Sequence, residues 1–340
     1  QMRFVKVDRK GFIPLAVFLL GLSFLCIVFF SSFGTVKVPF SDVLKTFLAM
    51  PPDKFESSLI LRLRIPRIIG SFLAGAVLAV AGNSFQLVIQ NPLADPFIIG
   101  ISSGASFGAV LFTALTVNTA IRIPFGIEGS ALIFSVLTSV VVFLLAKQGK
   151  KIPILSLVLS GVIISFLLNS LTTMMSVLYW KNVIHVNIWL LGSTADFDWP
   201  DIAVVLAFLL LQLLTVFLLS RKLDVLSMNE DLALYSGINP DKLKLAILSV
   251  NIAAVSVVVS KSGIIGFVGL IIPHLVRSIT GPYSRISTFY CIFIGGIFLS
   301  LSDFVSRTFF APTELPIGVM TSLVGAPVFI YIMKVKGKKV

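Results

Sequence analysis

Three arginines within one short stretch, Arg62, Arg64 and Arg67, could bind carboxylates, since a guanidinium presents a planar fork of donors to an acidic group. The same side chains could instead snorkel to lipid headgroups. Asp303 stands four residues before Arg307, a spacing that favours an ion pair along one helix. A second chemical feature is a run of small polar residues in otherwise apolar sequence: Ser156, Ser160, Ser165, Asn169, Ser170, Thr172 and Thr173. Such hydroxyls either bond back to their own helix or form a polar, weakly adhesive wall. Other chemistries find little support. Cys26, Cys291, His185 and His274 are scattered, which excludes the usual zinc set, a disulfide framework and a local catalytic pair. No GxxxxGK[ST] loop occurs, and Gly149-Lys150-Lys151 lacks the hydroxyl residue and the upstream glycine. Any ATP chemistry must come from another chain.

The elements that position these residues are apolar. Of 340 residues, 57% are hydrophobic and 12% charged, and the mean hydropathy is +1.04. A soluble domain carries about twice that share of charge, so a soluble enzyme is excluded. Ten runs free of Asp, Glu, Lys and Arg approach the roughly 20 residues a bilayer span needs: 12–30, 68–90, 97–121, 129–146, 152–180, 202–220, 245–260, 262–276, 286–302 and 315–333. The seventh and eighth are separated by Lys261 alone and could form one kinked helix. Ten crossings with both termini inside collect most of the 27 basic residues on the inner side, including Lys147, Lys150, Lys151, Arg221, Lys222, Lys242, Lys244, Arg277 and Arg285. Nine crossings would put the basic C-terminus outside. The net charge of +12 then reports inner loops, not nucleic acid. The first run is too long, and too poor in a small-residue cleavage site, for a removable signal peptide. The arginine cluster runs against this sidedness, which is why it calls for a function.

Within the spans, Gly100, Gly104 and Gly108 recur every fourth residue, and Gly75 with Ala79 repeats the spacing, a pattern that lets helix backbones approach closely. The near absence of carboxylates in the runs disfavours a proton relay or a cation site. Residues 31–61 form an outer loop in which Ser41 is expected to cap a short surface helix bearing Val43, Leu44, Phe47 and Leu48. Trp180, Trp189 and Trp199 read as interfacial anchors. Residues 221–244 form the largest inner loop. Asn229 caps, Glu230 and Asp231 fill a first turn, Gly237 stops the helix, and Asn239-Pro240 starts the next. A short helix projecting inward suits a cytoplasmic partner.

Several short motifs stand in order along the chain. They are Arg64-Ile65-Pro66-Arg67, Asn91-Pro92-Leu93-Ala94-Asp95-Pro96, Gly100-Ile101-Ser102-Ser103-Gly104-Ala105, Trp189-Leu190-Leu191-Gly192-Ser193 and Gly266-Phe267-Val268-Gly269-Leu270. Pro273-His274, Arg277, and the stretch from Glu314-Leu315-Pro316-Ile317-Gly318 to Gly325-Ala326-Pro327 follow. In this order and at these spacings the chain, from about Arg62 onward, resembles the FecCD-type permeases of ABC importers, which carry iron–siderophores, cobalamin or haem. The resemblance implies an all-α, polytopic subunit of about ten transmembrane helices with the type II importer fold of the vitamin B-twelve permease. It implies one permease domain over 1–340, cytoplasmic termini, and a place in the bacterial inner membrane. The implied partners are a second permease subunit, identical or related, two ABC ATPase subunits, a periplasmic or lipid-anchored substrate-binding protein, and the surrounding lipid. No nucleic acid, cofactor or resident metal is implied. By resemblance, Arg64, Arg67 and Arg307 dock glutamates of the binding protein. Asn229, Glu230, Asp231, Leu232, Ala233, Tyr235 and Gly237 form the ATPase coupling segment, with Ser236 where the family usually has leucine. The hydroxyl run Ser156, Ser160, Ser165, Asn169, Thr172 and Thr173 would line the translocation path, and Gly100, Gly104 and Gly108 would pack helices. The expected cargo is an iron–siderophore, with haem or cobalamin as alternatives and an ion-coupled carrier as a rival class.

Overall fold

The computed structural model describes residues 9–33, 38–47, 54–118, 126–179, 186, 188–310 and 313–337. Trp180, His185 and part of 31–61 lie outside the described residues. In chain order the helices are α1 (Arg9–Ser32), α2 (Phe40–Phe47), α3 (Lys54–Leu59), α4 (Ile65–Val88), α5 (Ile101–Asn118), α6 (Gly126–Ala146) and α7 (Ile154–Leu178). They continue as α8 (Trp199–Met228), α9 (Glu230–Tyr235), α10 (Pro240–Ser262), α11 (Val268–Thr280), α12 (Ser284–Thr308) and α13 (Ile317–Gly337). A π-helical turn, Ile60–Arg64, joins α3 to α4, and a 3₁₀ turn, Pro96–Ile99, precedes α5. Among the described residues the only β feature is an isolated bridge between Gln148 and Lys151.

Each of the ten apolar runs meets a helix. Six segments are long and apolar enough to cross a membrane: Ser57–Val88, Gly126–Ala146, Ile154–Leu178, Trp199–Met228, Pro240–Ser262 and Ser284–Thr308. Shorter apolar helices occupy Val17–Ser32, Ile101–Thr116, Val268–Thr280 and Ile317–Tyr331. The seventh and eighth runs are separate helices. Their boundary is the turn 263–267, not Lys261, which belongs to α10. Gly263 takes φ +68 there, and Phe267 takes φ +69 to start α11. A bulky residue in that region stores about 1–3 kcal/mol of strain.

Local chemistry accounts for the helix ends. Asp198 and Asp201 form a reciprocal capping box at the start of α8. Asn229 accepts the Asp231 N–H at 2.6 Å and Asn239 the Lys242 N–H at 3.0 Å, so α9 and α10 begin where the sequence places them. Ser41 differs from expectation. It lies inside α2, its hydroxyl on Asp42, and Pro39 supplies the carbonyl that opens the helix. The end of the segment 31–61 is helical where a loop is expected, because residues 54–64 run helically into α4. The π turn widens the backbone just ahead of Pro66, which lacks an N–H and would crowd a regular helix.

Helix α4 is the hub. Nearly all its residues from Ile65 to Val88 are buried, as expected of a helix that is apolar on every side. It packs on α12, α8, α11 and α10. Small residues set these approaches. A Cβ on Gly75 would collide with the Gly295 carbonyl of α12, and one on Gly82 with the Gly269 carbonyl of α11. Helices α5 and α6 form a second pair, with Gly104 and Gly108 against the Phe134 and Ser130 carbonyls. Gly100 faces the same helix through Thr138 but is no part of α5. At φ +84 it ends the 3₁₀ turn, a position that L side chains rarely adopt.

Candidate functional site

The arginine motif sits where α1, α4, α12 and the segment before α13 converge. Arg67 Nε donates to Asp303 Oδ1 at 3.0 Å, and its Nη2 pairs with Glu314 Oε2 at 2.9 Å. Asp303 also accepts from Thr194 Oγ1 at 3.0 Å, and Thr194 shares a hydrogen bond with Ser71. The pair Asp303–Arg307 forms as its spacing predicts, but at 3.5 Å it is the looser contact. The dominant partner of Asp303 is Arg67.

The other two arginines turn inward. Arg64 is buried and donates to the Ser31 carbonyl at 2.8 Å. Arg307 is buried and donates to the Phe30 carbonyl at 2.6 Å and the Phe33 carbonyl at 2.7 Å, with its guanidinium over the Phe304 ring. These carbonyls are at the end of α1, where a helix leaves acceptors unsatisfied and its dipole favours cations. Arg64 and Arg307 thus cap α1, Arg67 is held by two carboxylates, and Arg62 is the exposed member of the cluster, so the three arginines expected to dock a partner are engaged within this chain. These partners were invisible in sequence because three of the acceptors are backbone carbonyls, and Asp303 and Glu314 are distant from Arg67 in the chain. A cavity of about 130 Å³ opens beside Arg67, Thr194, Asp303 and Glu314.

The segment 188–194 is tied to the same region by backbone bonds. Ser193 N–H donates to Ser262 O at 2.8 Å, Ile317 N–H to Gly192 O at 2.9 Å and Gly318 N–H to Leu191 O at 3.2 Å. Gly192 takes φ +88, and a Cβ there would meet the Ile264 carbonyl. Three segments widely separated in sequence, two of them carrying the motifs at 189–193 and 314–318, thus form one backbone lacing.

Beyond the C-terminal end of α8, α9 leaves Leu232, Leu234 and Tyr235 exposed, as is Met228 just before it. Tyr235 is 89% exposed, an unusual cost for a large aromatic side chain unless a partner covers it. Ala233 is buried against the bundle. Glu230 is not part of the exposed apolar face: it pairs with Lys244, a lysine with only 2% of its side chain exposed. Lys244 Nζ also donates to the Ile152 carbonyl at 3.3 Å, and Asp241 accepts the Ile152 N–H at 2.8 Å. The short helix is thereby fastened to the start of α7. Gly237 ends it at φ +74, with Ser236 at the cap. Asp95, in the loop leading to α5, caps Phe97 at 2.8 Å, and burial pushes its carboxyl up to about 6 against the pull of that N–H.

Helix α7 is the least covered spanning segment, with only Leu157 and Gly161 buried. Gly161 packs on the Ile98 carbonyl. Ser156 accepts from Gln148 and Ser165 from Ser103, while Thr172 and Thr173 bond back to Leu168 and Asn169 carbonyls. Ser160 is half-buried and Asn169 exposed. The hydroxyl run is thus divided: part of it satisfies the helix itself, and Asn169 offers its amide outward.

These features define a polytopic helical membrane protein with a transporter permease fold. A solved ABC transporter described as metal-chelate type, in an inward-facing conformation, superposes with a TM-score of 0.82 and 28% identity, covering 94% of this chain and 99% of that one. The FecCD transport family matches residues 19–335, and the chain belongs to that family. Among its relatives, the ABC transporter permease protein YvrB of Bacillus subtilis is 33% identical over 94% of this chain and 93% of its own length. The Fe(3+)-citrate import system permease protein YfmE of the same organism is 32% identical over 98% and 99%. The cobalamin import system permease protein BtuC of Halobacterium salinarum is 34% identical over 80% and 72%.

Proposed function

We propose that this chain is the translocating subunit of an importer for a ferric chelate, an iron–siderophore or a close analogue, in a bacterial cytoplasmic membrane. The observation that carries the reading is its full-length similarity to an iron-chelate permease, 98% of this chain against 99% of the Fe(3+)-citrate permease. In this reading ten helices cross the bilayer with both termini inside, and two such subunits, identical or related, face each other. The sparse cover on α7 supports placing that helix at the path between them. Cargo must be held weakly to be released, and a wall of methyl and hydroxyl groups suits that.

Two ATPase subunits grip the exposed residues of α9 within 221–244, and a substrate-binding protein docks on the outer face. Arg62 is open to it. Arg67 becomes available if a partner carboxylate replaces Glu314, whose side chain is 45% exposed. Arg64 and Arg307 support the surface from beneath or are recruited by a shift of α1. The chain contributes no ATP chemistry of its own in this scheme; closure of the ATPase pair moves α9, and access alternates. The decisive experiment is to purify the chain with its natural ATPase and binding protein and to identify the molecule the binding protein retains. A ferric chelate supports the reading. Cobalamin or haem replaces the cargo while leaving the transport scheme intact. Accumulation by vesicles holding this chain alone, under a proton or sodium gradient, overturns the scheme.

A further inference from the structure

A groove of about 400 Å³ runs between the end of α6 and the start of α10. Its floor is apolar. Val140, Leu144 and Leu245 are 47%, 67% and 46% exposed, so the chain itself leaves them uncovered. Its rim carries Lys147, Lys150 and Lys242, all exposed, and among the described residues none of the three forms an ion pair. The lining holds one acid, Asp241, and that carboxylate already accepts the Ile152 N–H at 2.8 Å. Three ammonium groups therefore face one committed carboxylate above an apolar trough.

We propose that this groove is a binding site for an anionic phospholipid, its phosphate among Lys147, Lys150 and Lys242 and an acyl chain along Val140 and Leu144. A single amphiphile satisfies both halves of the site. The depth of the trough argues for lipid over a soluble protein. Val140 lies six residues before Ala146, the last residue of α6, or about 9 Å up the helix. That distance takes the floor from the interface into the hydrocarbon of a spanning helix. Basic pockets between helices on the cytoplasmic side are suited to acidic headgroups for the same reason. A zwitterionic lipid brings its own cation and gains less from the rim. The site adjoins Ile152, whose carbonyl accepts from Lys244, so an occupied groove braces the turn that starts α7. The proposal goes beyond the transport reading, takes from it only that this end of α6 is cytoplasmic, and depends on neither the cargo nor the identity of the partner subunits.

The test uses the full chain with whatever subunits copurify, in detergent doped with phosphatidylglycerol or, separately, phosphatidylcholine, and counts retained lipid by native mass spectrometry. The parent protein retains phosphatidylglycerol in preference to phosphatidylcholine. The triple variant K147Q/K150Q/K242Q retains about tenfold less or lower still. The variant R221Q/K222Q/R285Q, with the same change in charge at other exposed positions, retains as much as the parent. Ser249→Trp fills the trough without touching the lysines and also lowers retention. Equal retention of the two lipids, or equal retention by parent and triple variant, overturns the proposal. Displacement by millimolar inorganic phosphate, with no effect of Ser249→Trp, makes this a simple anion site and overturns it too. Loss of copurifying ATPase with an unchanged lipid count assigns the rim to a protein partner, and overturns it likewise.

Discussion

Arg67 and Asp303 lie 236 residues apart in the chain and meet in an ion pair of 2.9 Å. Asp303 is nearly inaccessible, with 4% of its side chain exposed, and Arg67 retains 14%. The pair joins α4, the hub, to the end of α12, and Thr194 and Glu314 extend it to the segments on either side. Removing one member of a buried pair leaves a desolvated charge without its counterion, which costs more than the pair contributes. Asp303→Asn is therefore expected to destabilise the protein by about 3 kcal/mol. Thermal unfolding in detergent checks this. Melting unchanged from the parent would show that Glu314 alone holds Arg67.

Glu314→Gln tests a different property of the same guanidinium. Glu314 is half-exposed, so its pair with Arg67 contributes about 0–1 kcal/mol and its loss leaves stability close to the parent's. Arg67 then has one carboxylate fewer to surrender before docking an acidic partner. Tighter capture of the binding protein is expected, with a steeper dependence on salt. Arg62→Glu, which removes the exposed charge, is expected to weaken capture. Surface plasmon resonance on the reconstituted transporter reads both, and weaker capture by Glu314→Gln together with unchanged or tighter capture by Arg62→Glu would remove this face from the docking scheme.

The link between α9 and α7 yields a prediction about coupling. Lys244→Met keeps the volume of a nearly buried side chain while removing the ammonium that joins Glu230 to the Ile152 carbonyl. The partner left behind, Glu230, has 38% of its side chain exposed and can be rehydrated, so the loss of stability is expected to be smaller than for a fully buried pair. Assembly with the ATPase is expected to persist while ATP hydrolysed per cargo imported rises severalfold. Tyr235→Asp should act differently. It alters the exposed face of α9 and is expected to weaken ATPase binding itself. Measuring hydrolysis and import in the same vesicles separates the two, and wild-type stoichiometry in Lys244→Met would remove that lysine from the coupling path.

Close helix approach makes the glycines unequal. A Cβ on Gly82 falls on the Gly269 carbonyl, a backbone atom that cannot rotate away, whereas Gly21 has nothing within 4 Å. Gly82→Ala is expected to cost several kcal/mol or prevent folding, as overpacking against fixed backbone does. Gly21→Ala should be neutral or slightly stabilising, since alanine is the better helix former. Expression level and melting temperature distinguish them. Gly104→Ala belongs with the severe group, because the Phe134 carbonyl lies in its way.

The helices were legible because an apolar run free of charge leaves a spanning chain few alternatives to a helix. The caps at Asn229 and Asn239 were legible for a similarly local reason: an amide before a first turn has one obvious use. Ser41 misled because a proline two residues earlier supplied the opening acceptor instead. The directions of the arginines were not legible. Whether Arg64 points to solvent or to the end of α1 depends on where α1 stops relative to α4, and no periodicity encodes that. The partner of Lys244 was hidden likewise. Lys244 reads as one more inner-loop cation, while burial against Glu230 and Ile152 makes it a tether. Sequence order identified the motifs, and tertiary contact decided which of their side chains remain available.

Helix α7 supplies the last expectation. Its polar residues divide by hydrogen bonding, and function should divide with them. The hydroxyl of Thr173 is bonded to the Asn169 carbonyl one turn back, so Thr173→Val removes a group already occupied and changes stability by about 1 kcal/mol or less. Import should continue at close to the parent rate. Asn169 is exposed on a helix that the rest of the chain scarcely covers, and Asn169→Leu replaces an outward amide with an apolar surface. If α7 borders the path, that change slows import severalfold while ATPase assembly and protein yield hold. If α7 faces only lipid, Asn169→Leu is harmless or stabilising, because an unpartnered amide in hydrocarbon is costly. The two placements thus predict opposite consequences for one substitution, and initial rates of labelled-cargo uptake in reconstituted vesicles decide between them.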